Sequence, residues 1–167
     1  EDRAAVATGA GDHRTALTLW REAIDAVPSA PAAWILAQAS SRRALGDHAV
    51  VVRLVEEALP DHADDPLAAE LARRRAEALE RLDRDRDAAA AYRDLAARWP
   101  RDDRAPEALR RRAWLLEALD GPLAAAEAWD DLAARYPADV EAADAGFRAG
   151  FLYWRSARVA EASERWT

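Results

Sequence analysis

Apolar positions along the chain recur at i, i+3, i+4 and i+7 rather than alternating, and this spacing predicts amphipathic helices and no strands. First helices are expected over about 31–45, 65–82, 103–119 and 139–155, and second helices over about 12–27, 47–59, 85–98, 122–135 and 157–166. The breaks carry helix punctuation. Gly11-Asp12, Gly46-Asp47 and Gly121-Pro122 each separate two helices, with Asp suited to the N-cap and Pro to a first turn. Trp99-Pro100 and Tyr136-Pro137 end helices, because the residue before Pro avoids the α region and Pro has no amide to donate.

The pattern repeats. AYRDLAARWP from Ala91 recurs as AWDDLAARYP from Ala128, an offset of 37 residues. One bulky column runs through Trp20, Val55, Tyr92, Trp129 and Trp166. Four residues earlier stand Ala16, Val51, Ala88, Ala125 and Ala162, and sixteen earlier stand Ala39, Ala76, Ala113 and Gly150, always small. Pro28, Pro100 and Pro137 follow three of the bulky residues at eight. A small residue lets two helices approach closely, and the bulky residue opposite fills the space left. A two-helix unit cannot bury its apolar stripe alone, so such units stack.

This arrangement (small, Ala, aromatic, Pro at these spacings) resembles the tetratricopeptide repeat. The resemblance implies an all-α fold, an α-solenoid of antiparallel helix pairs in a right-handed superhelix of about 4.5 repeats. One domain is expected over 1–167, with units at 1–28, 29–63, 64–100, 101–137 and 138–167. The period of 37 exceeds the usual ~34, and the second unit departs furthest, with Val55 in the bulky column and Pro60 early. Further, the tail from Ala133 to Trp166 resembles repeats in the helical region of bacterial soluble lytic transglycosylases, where the solenoid flanks a separate lysozyme-like domain.

Composition narrows the chemistry. Of 167 residues 45 are Ala, and all 24 basic residues are Arg; Cys, Met, Lys and Asn do not occur. Disulfides, thiol nucleophiles and Cys-ligated metals are thereby excluded. A formal charge of −7 argues against a nucleic-acid partner, and no apolar run reaches membrane-spanning length. His13 and His48 share one repeat column, which explains them as turn residues better than as metal ligands, and His62 stands alone. No phosphate loop, zinc helix or nucleophile elbow is present. The carboxylates lie in Arg-rich segments where nothing raises a pKa. The chain is therefore read as non-catalytic, with no cofactor and no metal.

The resemblance implies that first helices line a groove. Its columns select Glu70, Arg73, Glu77 and Glu80 in one unit, Glu107, Arg110, Trp114 and Glu117 in the next, and Asp144, Phe147, Phe151 and Trp154 in the last. Arg forks suit carboxylates, and Trp and Phe supply rigid apolar contact, so an extended peptide or a glycan strand is the expected ligand. The competing reading pairs the Arg triplets 73–75 and 110–112 with neighbouring acids and packs the Phe147–Phe151–Trp154 stripe on an adjoining repeat or copy. Chaperone-type carboxylate capture, which uses Lys and Asn, is argued against.

Three functions follow from this reading: a protein- or peptide-binding scaffold, the superhelical module of a peptidoglycan transglycosylase whose catalytic domain lies elsewhere, and a self-assembling module forming homo-oligomers. A periplasmic or cell-envelope setting is expected, with a cytoplasmic one as the alternative. The chain starts at Glu1 without an initiator Met or signal peptide and ends at Thr167 inside an expected helix, as an excerpt of a longer solenoid would.

Overall fold

A computed structural model describes residues 1–140 and 142–166; Glu141 and Thr167 of the expected last unit lie outside the described residues. Two compact units make up the chain, Glu1–Arg84 and a second that begins at Asp85. The boundary falls inside the repeat expected at 64–100, between its two helices.

The first unit holds α1 (Asp2–Gly9), α2 (His13–Asp25), α3 (Ala32–Ala44), α4 (His48–Ala58) and α5 (Ala68–Glu80). The second holds α6 (Asp85–Arg98), α7 (Ala105–Leu119), α8 (Pro122–Arg135), α9 (Ala142–Arg155) and α10 (Val159–Arg165). Among the described residues there is no strand. Nine of these helices stand where the periodicity predicts them; α1 is additional. Its signal was present in Ala4, sixteen residues before Trp20 and only 1% exposed. Trp20 Nε1 donates to Thr8 Oγ1 at 3.0 Å, so α1 also satisfies the one polar group of the ring it covers.

The columns behave as the packing argument requires. Ala39, Ala76 and Ala113 are at most 1% exposed, and Trp20, Val55, Tyr92 and Trp129 at most 4%. Ala16, Val51, Ala88, Ala125 and Ala162 are equally buried. Trp166 is half-exposed, yet its indole lies directly on Gly150, where an added Cβ would sit 2.5 Å from Nε1. Small against large is thus seen as a contact. Larger volumes come from Leu71 and Leu79 in the first unit and from Leu95, Leu109, Leu132 and Leu152 in the second, all fully buried. Each stabilises its unit by about 1.5–3 kcal/mol through lost apolar surface.

The turn nine residues before the bulky column reverses the chain through a left-handed residue. Gly11, Gly46, Asp83 and Ala157 have φ of 76°, 80°, 55° and 59°, whereas in the fourth repeat Gly121 takes this role one residue later. Such a residue lets carbonyls at the end of one helix find partners before the next begins. Asp12 caps α2 as expected, accepting from the Thr15 amide at 3.2 Å. Asp47 occupies the N-cap of α4 but makes no cap bond; Arg42, at 2.9 Å, draws its carboxylate away. In the second unit Asp130 ties α8 to its neighbours, accepting from Tyr153 Oη at 2.9 Å and from Arg165 Nε at 2.6 Å.

Candidate functional site

α9 buries Ala142, Ala145, Ala149, Gly150, Leu152 and Tyr153. Its opposite face therefore carries Phe147, Phe151 and Trp154 outward, at 65%, 44% and 56% exposure. α7 begins with Pro106 in its first turn and Glu107 at its positive end, both favourable there. On its outer side it presents Arg110, Trp114 and Glu117. Between these helices, with Trp129 of α8 at the back, lies an open cleft of about 580 Å³. Arg110, Trp114, Glu117, Asp144, Phe147 and Phe151 all line it, joined by Arg148 and Arg155.

The cleft is built around one stacked cation. The Arg148 guanidinium carbon lies 3.6 Å from the centroid of Trp114 and 5.2 Å from that of Trp129. The two indoles meet edge to face at 5.7 Å and 83°. This geometry matches the ring quadrupoles and holds Arg148 against a negative face. Arg148 Nη2 donates to Glu117 Oε2 at 3.2 Å, and Arg155 Nη1 donates to Glu117 Oε1 at 3.4 Å. One carboxylate thus serves two guanidiniums. Arg110 pairs with Glu107, one turn earlier on α7. The Arg155 end of the cleft consequently carries excess positive charge in a chain whose formal charge is −7. Asp144 lies at the opposite end of α9, in its first turn.

Not every expected groove residue joins this site. Trp154 stacks on Phe151 at 5.9 Å but lies outside the cleft lining. Glu70, Arg73 and Glu77 sit on α5, in the first unit, as an ion-pair cluster. Arg73 grips the buried Glu70 bidentately, at 2.8 Å from Nε and 2.6 Å from Nη2, and also bonds Glu77. Arg74 Nε lies 2.9 Å from the same Glu70, and Arg75 reaches Glu56 at 2.8 Å. Burial explains the clamp, because a buried carboxylate is costly unless cations satisfy it.

Sequence reasoning missed Arg148, Arg155 and the inner role of Trp129. Arg148 did leave a signal: Arg74, Arg111 and Arg148 form a column at the 37-residue offset. Among the described residues no group of three metal-ligating side chains converges, and no helix is long and apolar enough to cross a membrane.

No protein-family model matches the chain, and no curated protein resembles it significantly. Solved structures do. A tetratricopeptide repeat protein from Parabacteroides merdae is similar at 19% identity and a TM-score of 0.70, over 98% of this chain and 61% of that one. MamA is similar at 16% identity and a TM-score of 0.69, over 99% of this chain and 91% of the other. A Podosopora anserina kinesin light chain with nearly identical tetratricopeptide-like repeats gives 16% identity and a TM-score of 0.66, over 98% and 88%. The fold is that of tetratricopeptide-like repeat proteins, an all-helical solenoid of paired helices.

Proposed function

We propose that, on this tetratricopeptide-like fold, the chain is a non-catalytic interaction scaffold whose second unit binds an extended peptide segment of a protein partner. One observation carries the proposal: exposed faces of Trp114, Phe147 and Phe151 share a single cleft with Arg110, Arg148 and Arg155. Exposed rings in a concave site supply contact area at small entropic cost. The Glu117 carboxylate divided between Arg148 and Arg155 leaves room for a second one. The preferred segment therefore places an acidic residue beside aromatic or branched apolar residues, with the acid at the Arg155 end.

A displayed random-peptide library, selected on the wild-type chain and counter-selected on Phe147→Ala/Phe151→Ala, tests this. Acidic-apolar sequences should be enriched, and their affinity should fall at least about tenfold in the counter-selecting variant. Failure to enrich any sequence, or enrichment independent of both Phe residues, refutes it.

The same rings favour a second reading, because aromatic faces also stack on sugars. In that reading the chain is the superhelical part of a peptidoglycan transglycosylase in the bacterial cell envelope, and the cleft follows a glycan strand. Cosedimentation with purified, protein-free peptidoglycan sacculi separates the two: retention that Trp114→Ala abolishes favours the glycan.

A further inference from the structure

The fold does not require aromatic residues on the outer face of α9. Stepping back by 37 residues from Phe147, Phe151 and Trp154 gives Arg110, Trp114 and Glu117, and a further 37 gives Arg73, Glu77 and Glu80. The same three positions are thus fully charged in the third repeat, mixed in the fourth and wholly aromatic in the fifth. All three aromatic residues are substantially exposed. Positions i, i+4 and i+7 form one seam along a helix, the pattern that packs against another helix. Exposed apolar surface of this kind marks an interface.

Charge along α9 says which helix. Asp144 stands in its first turn and Arg155 in its last, about 16 Å apart along the axis. A second α9 laid antiparallel brings Asp144 against Arg155 of its partner at both ends. Centred between residues 150 and 151, this packing sets Phe147 against Trp154 and the two Phe151 rings beside each other, while each Asp144 stands two residues, about 3 Å along the axis, from the Arg155 level of its partner, within reach of that long side chain. Antiparallel helix dipoles add to the match. A head-to-tail contact has no comparable acceptor, since the exposed large apolar residues of the first unit are the isolated Val6 and Leu45.

We infer that two copies of this chain associate through an isologous, antiparallel pairing of α9, with Phe147, Phe151 and Trp154 as the seam and the two Asp144–Arg155 pairs setting its register. The pairing shares Asp144, Phe147, Phe151 and Arg155 with the peptide cleft but does not rest on that reading, because Trp154 lies outside the cleft.

Sedimentation velocity from micromolar to near-millimolar concentration tests association directly. Wild type should move from monomer to dimer, and Trp154→Asp should weaken the dimer at least about tenfold while its far-ultraviolet dichroism stays unchanged. Trp154→Asp should retain peptide binding, so a failure of one proposal is separable from a failure of the other. The chain has no cysteine, which makes register testable with single replacements. An equimolar mixture of Asp144→Cys and Arg155→Cys chains should form the mixed disulfide, and Asp144→Cys alone should not cross-link. A monomer at every concentration, a dimer indifferent to Trp154→Asp, or preferential Asp144→Cys self-cross-linking overturns the inference.

Discussion

Replacing Gly46 by Ala and Gly146 by Ala makes one chemical change in two backbone settings. Apart from the adjoining residues and, for Gly146, the backbone of its own helix, neither glycine has a heavy atom within 4 Å of where the new Cβ would stand, so tertiary packing contributes nothing to the difference. Gly46 has φ of +80°, in the left-handed region, where a Cβ meets the following carbonyl at a cost of about 1–2 kcal/mol. Against this, Ala loses less unfolded-chain entropy than Gly, by about 0.4–1 kcal/mol. Gly46→Ala should therefore destabilise by roughly 0.5–1 kcal/mol.

Gly146 lies inside α9 with ordinary helical φ, and there Ala is favoured by about 0.8–1 kcal/mol. Gly146→Ala should stabilise by that amount. The third member of the set reverses the substitution. Ala157 already carries a Cβ at φ 59°, in the same repeat column as Gly46, so Ala157→Gly should stabilise by roughly 0.5–1 kcal/mol. Thermal melts followed by circular dichroism would read these as shifts of about 2–4 °C per kcal/mol. Amide exchange should localise the Gly46 effect to the α3–α4 hairpin and the Ala157 effect to α9–α10. Equal signs for the two Gly→Ala variants, or a loss of stability in Ala157→Gly, would refute the left-handed column as the source of the turn.

Trp129→Ala empties the bulky column of the fourth repeat and removes the edge contact to Trp114; it should cost about 3–5 kcal/mol in a urea titration. Arg148→Ala strips the cation from the Trp114 face and should cost about 0.5–2 kcal/mol, with a red-shifted tryptophan emission as Trp114 becomes hydrated. Burial, aided by the hydrogen bond to Asp130, pushes the Tyr153 phenol up to about 12. The folded state therefore favours the neutral phenol. This contribution is complete below about pH 10, where an unfolded Tyr titrates, and is lost as pH climbs through 12. Tyr153→Phe should flatten that part of the alkaline stability profile, as measured by denaturant midpoints across the pH range.

Helices, turns and repeat columns were legible in the sequence because each depends on local rules. Apolar spacing sets the helices, Gly and Pro break them, and a small residue must face each bulky one. α1 was missed, because its short run lacks a proline or glycine pair to announce it at the N-terminal side, although Ala4 keeps the sixteen-residue spacing to Trp20. The groove columns likewise identified Arg110, Trp114, Glu117, Phe147 and Phe151, which the second unit does gather into one cleft. Tertiary structure alone decided that Arg148 covers Trp114 and that Arg148 and Arg155 share Glu117. These contacts join residues 34, 31 and 38 apart, not 37, so the repeat offset pairs none of them. Their partners are chosen by where α7 and α9 stand relative to each other, each packed against α8. That placement follows from how side chains of three helices interlock in three dimensions, which a one-dimensional pattern does not encode.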